Sequence, residues 1–126
     1  MATRILYIHG IGRIGGAERD LLTMLRALDR DRWEPYVACP PGTPFAERLA
    51  NDGVPMRSLS LVAWRKWYAP AIRWRAVRSL RAMVRDLLPA IIHVNDIWWV
   101  PHTVTAVRGS RLGRPIVAHV RQEIEP

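Results

Sequence analysis

One cysteine, no long apolar run and a shortage of acid set the first limits on this 126-residue chain. Cys39 alone cannot build a disulfide framework, and a single thiol fits a cytosolic location. No apolar run approaches the roughly 18 residues that span a bilayer. The run at residues 5–8 is too short for the core of a signal peptide, and a glycine-rich turn cuts it off. The hydrolase elbow G-x-S-x-G is missing; Gly109-Ser110-Arg111-Leu112-Gly113 puts the serine one place too early. No G-x-x-x-x-G-K loop exists, and the four histidines and lone cysteine show no metal-ligand spacing, so no metal is expected. Eleven Asp plus Glu face nineteen Lys plus Arg, nearly all of them Arg, for a net charge of +8. Such a surface seeks polyanions: nucleic acid, anionic lipid headgroups or phosphorylated substrates.

What is present suits one soluble domain, about half of it hydrophobic. Residues 4–9 predict the first strand, its continuous apolar run at 5–8 as expected of a strand buried on both faces. A helix is predicted over 17–28, with Leu21, Leu22, Leu25 and Leu28 on one face and Glu18 and Asp20 favourably placed in its first turn. Residues 33–39 predict a second strand, closed by Pro40-Pro41-Gly42. A short helix starts at Thr43 or Pro44, and a third strand lies within 54–61. A long helix over about 71–88 has a core stripe of Ile72, Ala76, Leu80, Met83 and Leu87. A fourth strand at 90–95, a helix over 101–110 and a fifth strand at 115–120 complete the pattern. Strand–helix alternation implies parallel strands with right-handed crossovers, a Rossmann-like, doubly wound α/β sheet of about five strands in the order 3-2-1-4-5. Its ligand crevice falls at the carboxyl ends of the first and fourth strands, where the strand order reverses. A fifth strand left at the edge predicts association or poor solubility of the isolated chain.

That crevice would hold the glycine turn of residues 9–18. Gly10, Gly12 and Gly15 fit G-x-G-x-x-G, and a helix start behind them favours an anion such as phosphate. A dinucleotide would need an acid near the end of the second strand, yet that strand ends Val37-Ala38-Cys39-Pro40. Another phosphate ligand therefore ranks above nicotinamide or flavin.

Three segments taken together give a second reading: His9-Gly10-Ile11-Gly12 with Gly15-Gly16-Ala17-Glu18, then Ile91-Ile92-His93-Val94-Asn95-Asp96, then Pro115-Ile116-Val117-Ala118-His119-Val120-Arg121. This set resembles the N-terminal domain of family 4 glycosyltransferases, two-domain enzymes of the GT-B fold, and the resemblance runs from residue 4 to 125. It implies transfer of a sugar, with retention of configuration, from a nucleotide-sugar donor to a lipid-linked or glycan acceptor. No cofactor beyond that donor is implied. Carried over, Gly12, Gly15 and Gly16 form the loop at the donor diphosphate. Asn95, Asp96, His119 and Arg121 line the acceptor side. Some members carry a catalytic His at the end of the fifth strand; His119 and Arg121 stand nearest, and His119 with Asp96 is the catalytic candidate. The resemblance also implies that residues 1–126 are an acceptor-side domain cut short. The nucleotide-holding C-terminal domain is absent, and the chain alone should not catalyse transfer. The alternative is a stand-alone Rossmann-like module binding a nucleotide or phospho-ligand.

Plainer roles compete at several positions. His9 and His93 interrupt apolar strands, where a hydrogen-bonded core histidine serves equally well. Asp96 can simply cap the next helix, and Trp98 and Trp99 suit packing better than sugar stacking. Residues 65–85 hold seven cations and no acid, which a solvated helix face explains. Interleaved tryptophans argue instead for an anionic membrane surface, with Trp64, Arg65, Lys66, Trp67, Trp74, Arg78, Arg81 and Arg85 as contacts. Nucleic acid competes for the same face, but no helix-turn-helix, zinc-finger or RNP pattern accompanies it. The expected location is cytoplasmic, peripheral at the inner face of the membrane.

Overall fold

The computed structural model describes residues 2–61 and 70–120. Parallel strands β1 (Thr3–Ile8), β2 (Trp33–Cys39), β3 (Met56–Ser58), β4 (Ile91–Val94) and β5 (Ile116–Ala118) form one sheet in the order β3-β2-β1-β4-β5. The expected order is the observed one. Helices α1 (Gly16–Ala27), α2 (Pro44–Asn51), α3 (Pro70–Leu87) and α4 (Val100–Ser110) connect them, with a 3-10 turn at Ile97–Trp99 before α4.

The two-residue period of the strands sorts side chains into two cores. From β1, Ile5 and Tyr7 pack with Leu21, Leu22 and Leu25 of α1 and with Phe45 and Leu49 of α2. Leu6 and Ile8 point the other way, to Ala76, Leu80 and Val84 of α3 and Ala106 and Val107 of α4. A strand apolar at every position is what this sandwich requires. Thr43 caps α2, accepting the Ala46 N–H at 3.2 Å, and Pro44 occupies the first helical position, where a missing N–H costs nothing.

Two expectations for α3 need correction. Ile72 is not core: it is 45% exposed, in the first turn, where it lines a cavity instead. Val77 and Val84 join the buried stripe, because contact with both the sheet and α4 needs an apolar face wider than one row. The third strand lies within 54–61 as expected, at Met56–Ser58, and the buried Val54 and Leu59 flank the paired residues. Among the described residues no helix is long and apolar enough to cross a membrane.

Candidate functional site

The sheet registers bring the carboxyl ends of the central strands together. Ile8 pairs with Val94, and Val94 with Ala118. Pairing runs one residue beyond the strands: His9 N–H donates to Ala38 O at 3.0 Å, Asn95 N–H to Ile8 O at 3.0 Å and His119 N–H to Val94 O at 2.9 Å. His9, Asn95 and His119 thus stand in a row along the edge where the glycine turn leaves β1.

The glycines of that turn divide into two pairs. A β-carbon at Gly10 would overlap the indole of the buried Trp99, and one at Gly12 would overlap the Thr43 side chain. Those two are small so that α4 and α2 can close in. None of the turn's glycines has the left-handed backbone the motif allows; positive φ falls instead at Gly42, Gly53 and Gly113. Gly15 would meet only the Glu18 carboxylate, and Gly16 has open space around it. The open end of the turn is therefore Gly15–Gly16, and Gly12 is pressed against Thr43.

Glu18 does more than favour the helix dipole. It is 3% exposed, accepts the Gly15 N–H at 3.1 Å and lies 3.2 Å from Nε2 of His9. His9 is buried as well, edge-on to Phe45 with ring centroids 5.1 Å apart. Spacing gave a signal for Glu18: an acid three residues after a cap position is half of a capping box, and Gly15 has no side chain for the other half.

The acceptor-side candidates are less uniform than expected. Asn95 is fully buried, and its amide lies 3.1 Å from Nδ1 of His9; as placed it cannot reach an acceptor. Asp96 is half-buried and takes the capping role, accepting the Trp98 N–H at 3.4 Å. His119 is half-buried, with its ring 6.1 Å from that of His93. His93 in turn lies 5.1 Å from the ring of Tyr7, whose phenol burial pushes upward in pKa, Arg30 opposing. Arg121 lies outside the described residues.

Of the basic stretch, Trp64, Arg65, Lys66 and Trp67 also lie outside them. Trp74 is 59% exposed, and Arg75 and Arg78 stand exposed beside it along a groove of about 530 Å³. Arg81 lines the same groove, and Arg85 is exposed one turn further on. The Arg81 guanidinium packs on Gly109, and Arg85 donates to the Gly109 carbonyl at 3.1 Å, so both help join α3 to α4. Nearer the site, a cavity of about 410 Å³ opens at the carboxyl end of β3, between Pro41, Ser58, Ser60, Ile72, Arg75 and Ser79. Among the described residues no group of three or more His, Cys, Asp or Glu is placed to hold a metal ion.

A doubly wound sheet with a glycine turn and helix start at the switch point defines a Rossmann-like domain. Residues 15–125 match the glycosyl transferase 4-like domain, and the chain belongs to that family, the N-terminal-type domain of family 4 glycosyltransferases. No curated protein sequence matches it. Among solved structures it resembles MurG of Acinetobacter baumannii, with a TM-score of 0.73 at 15% identity, over 100% of this chain and 37% of that one. It also resembles Anabaena HepE in complex with UDP and glucose, with a TM-score of 0.67 at 20% identity. That match takes in 98% of this chain and 31% of HepE. The chain thus spans about a third of the length of the structures it resembles.

Proposed function

We propose that the chain is the acceptor-side, N-terminal domain of a glycosyltransferase that works with a second, nucleotide-holding domain. The reaction moves a sugar from a nucleotide-sugar donor to a lipid-linked or glycan acceptor, with retention of configuration and no cofactor. The observation that carries this reading is the Gly15–Gly16 end of the turn. It is open, at the start of α1 and at the switch point, in a domain of this family. Unsatisfied N–H groups and the positive end of the helix dipole suit a diphosphate there. The solved HepE complex, which holds UDP and glucose, supports the choice of donor class.

His119 is a half-buried titratable group just beyond the end of β5, and with Asp96 and Arg121 it would meet the acceptor. The exposed Trp74, Ile72, Arg75 and Arg78 support a peripheral contact with an anionic, cytoplasmic membrane face, which suits a lipid-linked acceptor.

The test is a transfer assay on the protein expressed from its full reading frame. UDP-, GDP- and ADP-sugars are offered with lipid-linked and glycan acceptors, and nucleotide release is followed. Acceptor-dependent release from one donor class, with the anomer unchanged by NMR, is the expected result. Nucleotide binding with no transfer to any acceptor would favour the stand-alone binding module instead.

A further inference from the structure

Beneath the glycine turn lies a polar chain that core packing alone does not call for. His9 is 1% exposed, Glu18 3% and Asn95 0%, on three different segments: the end of β1, the first turn of α1 and the end of β4. Burying a carboxylate is costly unless directed donors surround it. Here the donors can be assigned. The Asn95 amide nitrogen lies 3.5 Å from the Ala17 carbonyl, which can only accept, so the NH2 faces α1. The same NH2 lies 3.1 Å from Nδ1 of His9, which must accept it. The ring proton is left on Nε2, 3.2 Å from Glu18 Oε2, while Glu18 Oε1 takes the Gly15 N–H at 3.1 Å. The row of contacts therefore has a direction: Asn95 donates to His9, Nε2 of His9 faces Glu18 in a close pair that is not aligned as a hydrogen bond, and Glu18 accepts from Gly15.

Steric packing does not hold this end of the turn. A β-carbon at Gly16 would meet nothing and one at Gly15 only Glu18, whereas one at Gly10 or Gly12 would strike Trp99 or Thr43. We infer that His9 and Glu18 are positioning residues. Their relay holds Gly15 to the sheet by its own N–H, so that the N–H groups that follow, of Gly16 and Ala17, stand ready for the donor diphosphate. This rests on the donor-site reading of the turn given above. Preorganised donors matter because a displacement on the order of 1 Å can cost a hundredfold in a binding or reacting geometry.

Reversing the direction of the relay tests it. Glu18→Gln keeps an acceptor for Gly15 but sets an NH2 against the ring N–H of His9. Adding Asn95→Asp gives the ring an acceptor at Nδ1, which lets the proton move there and restores complementary partners at both ring nitrogens with the same net charge, leaving only the 3.5 Å contact to the Ala17 carbonyl unreplaced. The chain, labelled with 15N, is titrated with inorganic pyrophosphate while the Gly16 and Ala17 amides and the His9 ring nitrogens are followed. Wild type should carry its ring proton on Nε2. Glu18→Gln should weaken pyrophosphate binding at least fivefold, and the double variant should recover to within about twofold with the proton on Nδ1.

A wild-type ring protonated on Nδ1 or on both nitrogens overturns the inference. So does a single variant that titrates like wild type, or a double variant no better than the single. A single variant that fails to fold while the double folds supports it, and if neither folds the wild-type ring nitrogens decide. A wild-type turn indifferent to pyrophosphate would overturn the donor-site reading instead. The relay would then be judged by exchange of the Gly15 amide. Faster exchange in Glu18→Gln, with recovery in the double variant, supports the tether, and unchanged exchange overturns it.

Discussion

Gly12→Ala tests whether that glycine serves packing or ligand. The backbone there is not left-handed, so alanine can adopt it, and the penalty is steric. The added methyl would strike Cγ2 and Cβ of Thr43. Thr43 cannot step aside freely, because its hydroxyl accepts the Ala46 N–H at 3.2 Å and donates to Pro40 O at 3.1 Å. The neighbouring Phe45 N–H is also tied to Gly12 O, at 3.0 Å. Overpacking costs about 1–3 kcal/mol, and a displaced N-cap adds about 1 kcal/mol. A loss of about 2–3 kcal/mol follows, roughly 10 °C in Tm for a domain of this size. Thr43→Gly removes every atom in the way and by itself costs only a few tenths of a kcal/mol, since glycine is tolerated at an N-cap. In that background Gly12→Ala should therefore be nearly silent, a coupling of about 2 kcal/mol. Urea unfolding followed by tryptophan fluorescence gives all four corners of the cycle. Equal costs of Gly12→Ala with and without Thr43 would refute the steric assignment and return Gly12 to the ligand.

Three further outcomes are expected. Gly16→Ala, with open space for its methyl, should leave stability unchanged or raise it by up to about 0.5 kcal/mol, yet weaken donor binding by the full-length protein; unchanged donor affinity would remove Gly16 from the site. Burial pushes the Cys39 thiol from 9.0 up to about 11. The fold therefore holds that proton more tightly than the unfolded chain. The associated stability is complete below pH 9 and is lost as pH rises towards about 11, a decline that Cys39→Ala should lessen in alkaline melts. Charge reversal at both Arg75 and Arg78 should reduce sedimentation with anionic vesicles at least tenfold at low salt, since each cation contributes on the order of 1 kcal/mol. Binding that ignores both the reversal and added salt would point away from a membrane face.

The fold was legible because its signals are local. An apolar run followed by a glycine turn, leucines spaced three and four apart, and Pro40-Pro41-Gly42 as punctuation each fix one element, and alternation of elements fixes the order of the sheet. The β2 limits, Trp33–Cys39, match the reading from sequence, whereas β3 is only Met56–Ser58 because edge pairing depends on a partner strand. Side-chain roles were less legible. Asn95 and Asp96 are adjacent in a loop-like Asn-Asp pair, and nothing local reveals that one is sealed beneath the turn while the other caps the 3-10 turn. The even spacing of Trp74, Arg78, Arg81 and Arg85 suggested one exposed stripe. The approach of α4, with Gly109 at the contact, adds a helix–helix contact to its second half, while Arg85 remains exposed and Arg81 still lines the groove.

By itself the sequence determined the α/β class, the strand order, the glycine turn at the switch point and the family. All of these depend on periodicity and motif, which are properties of neighbours along the chain. Only the tertiary structure decided which glycines are pressed against Trp99 and Thr43 and which stand open. It alone decided that Glu18, His9 and Asn95 share one buried relay, though 86 residues separate the last two. The physical reason is the same in both cases. Steric clearance and hydrogen-bond direction are set by atoms from distant segments, brought together when parallel strands align their carboxyl ends.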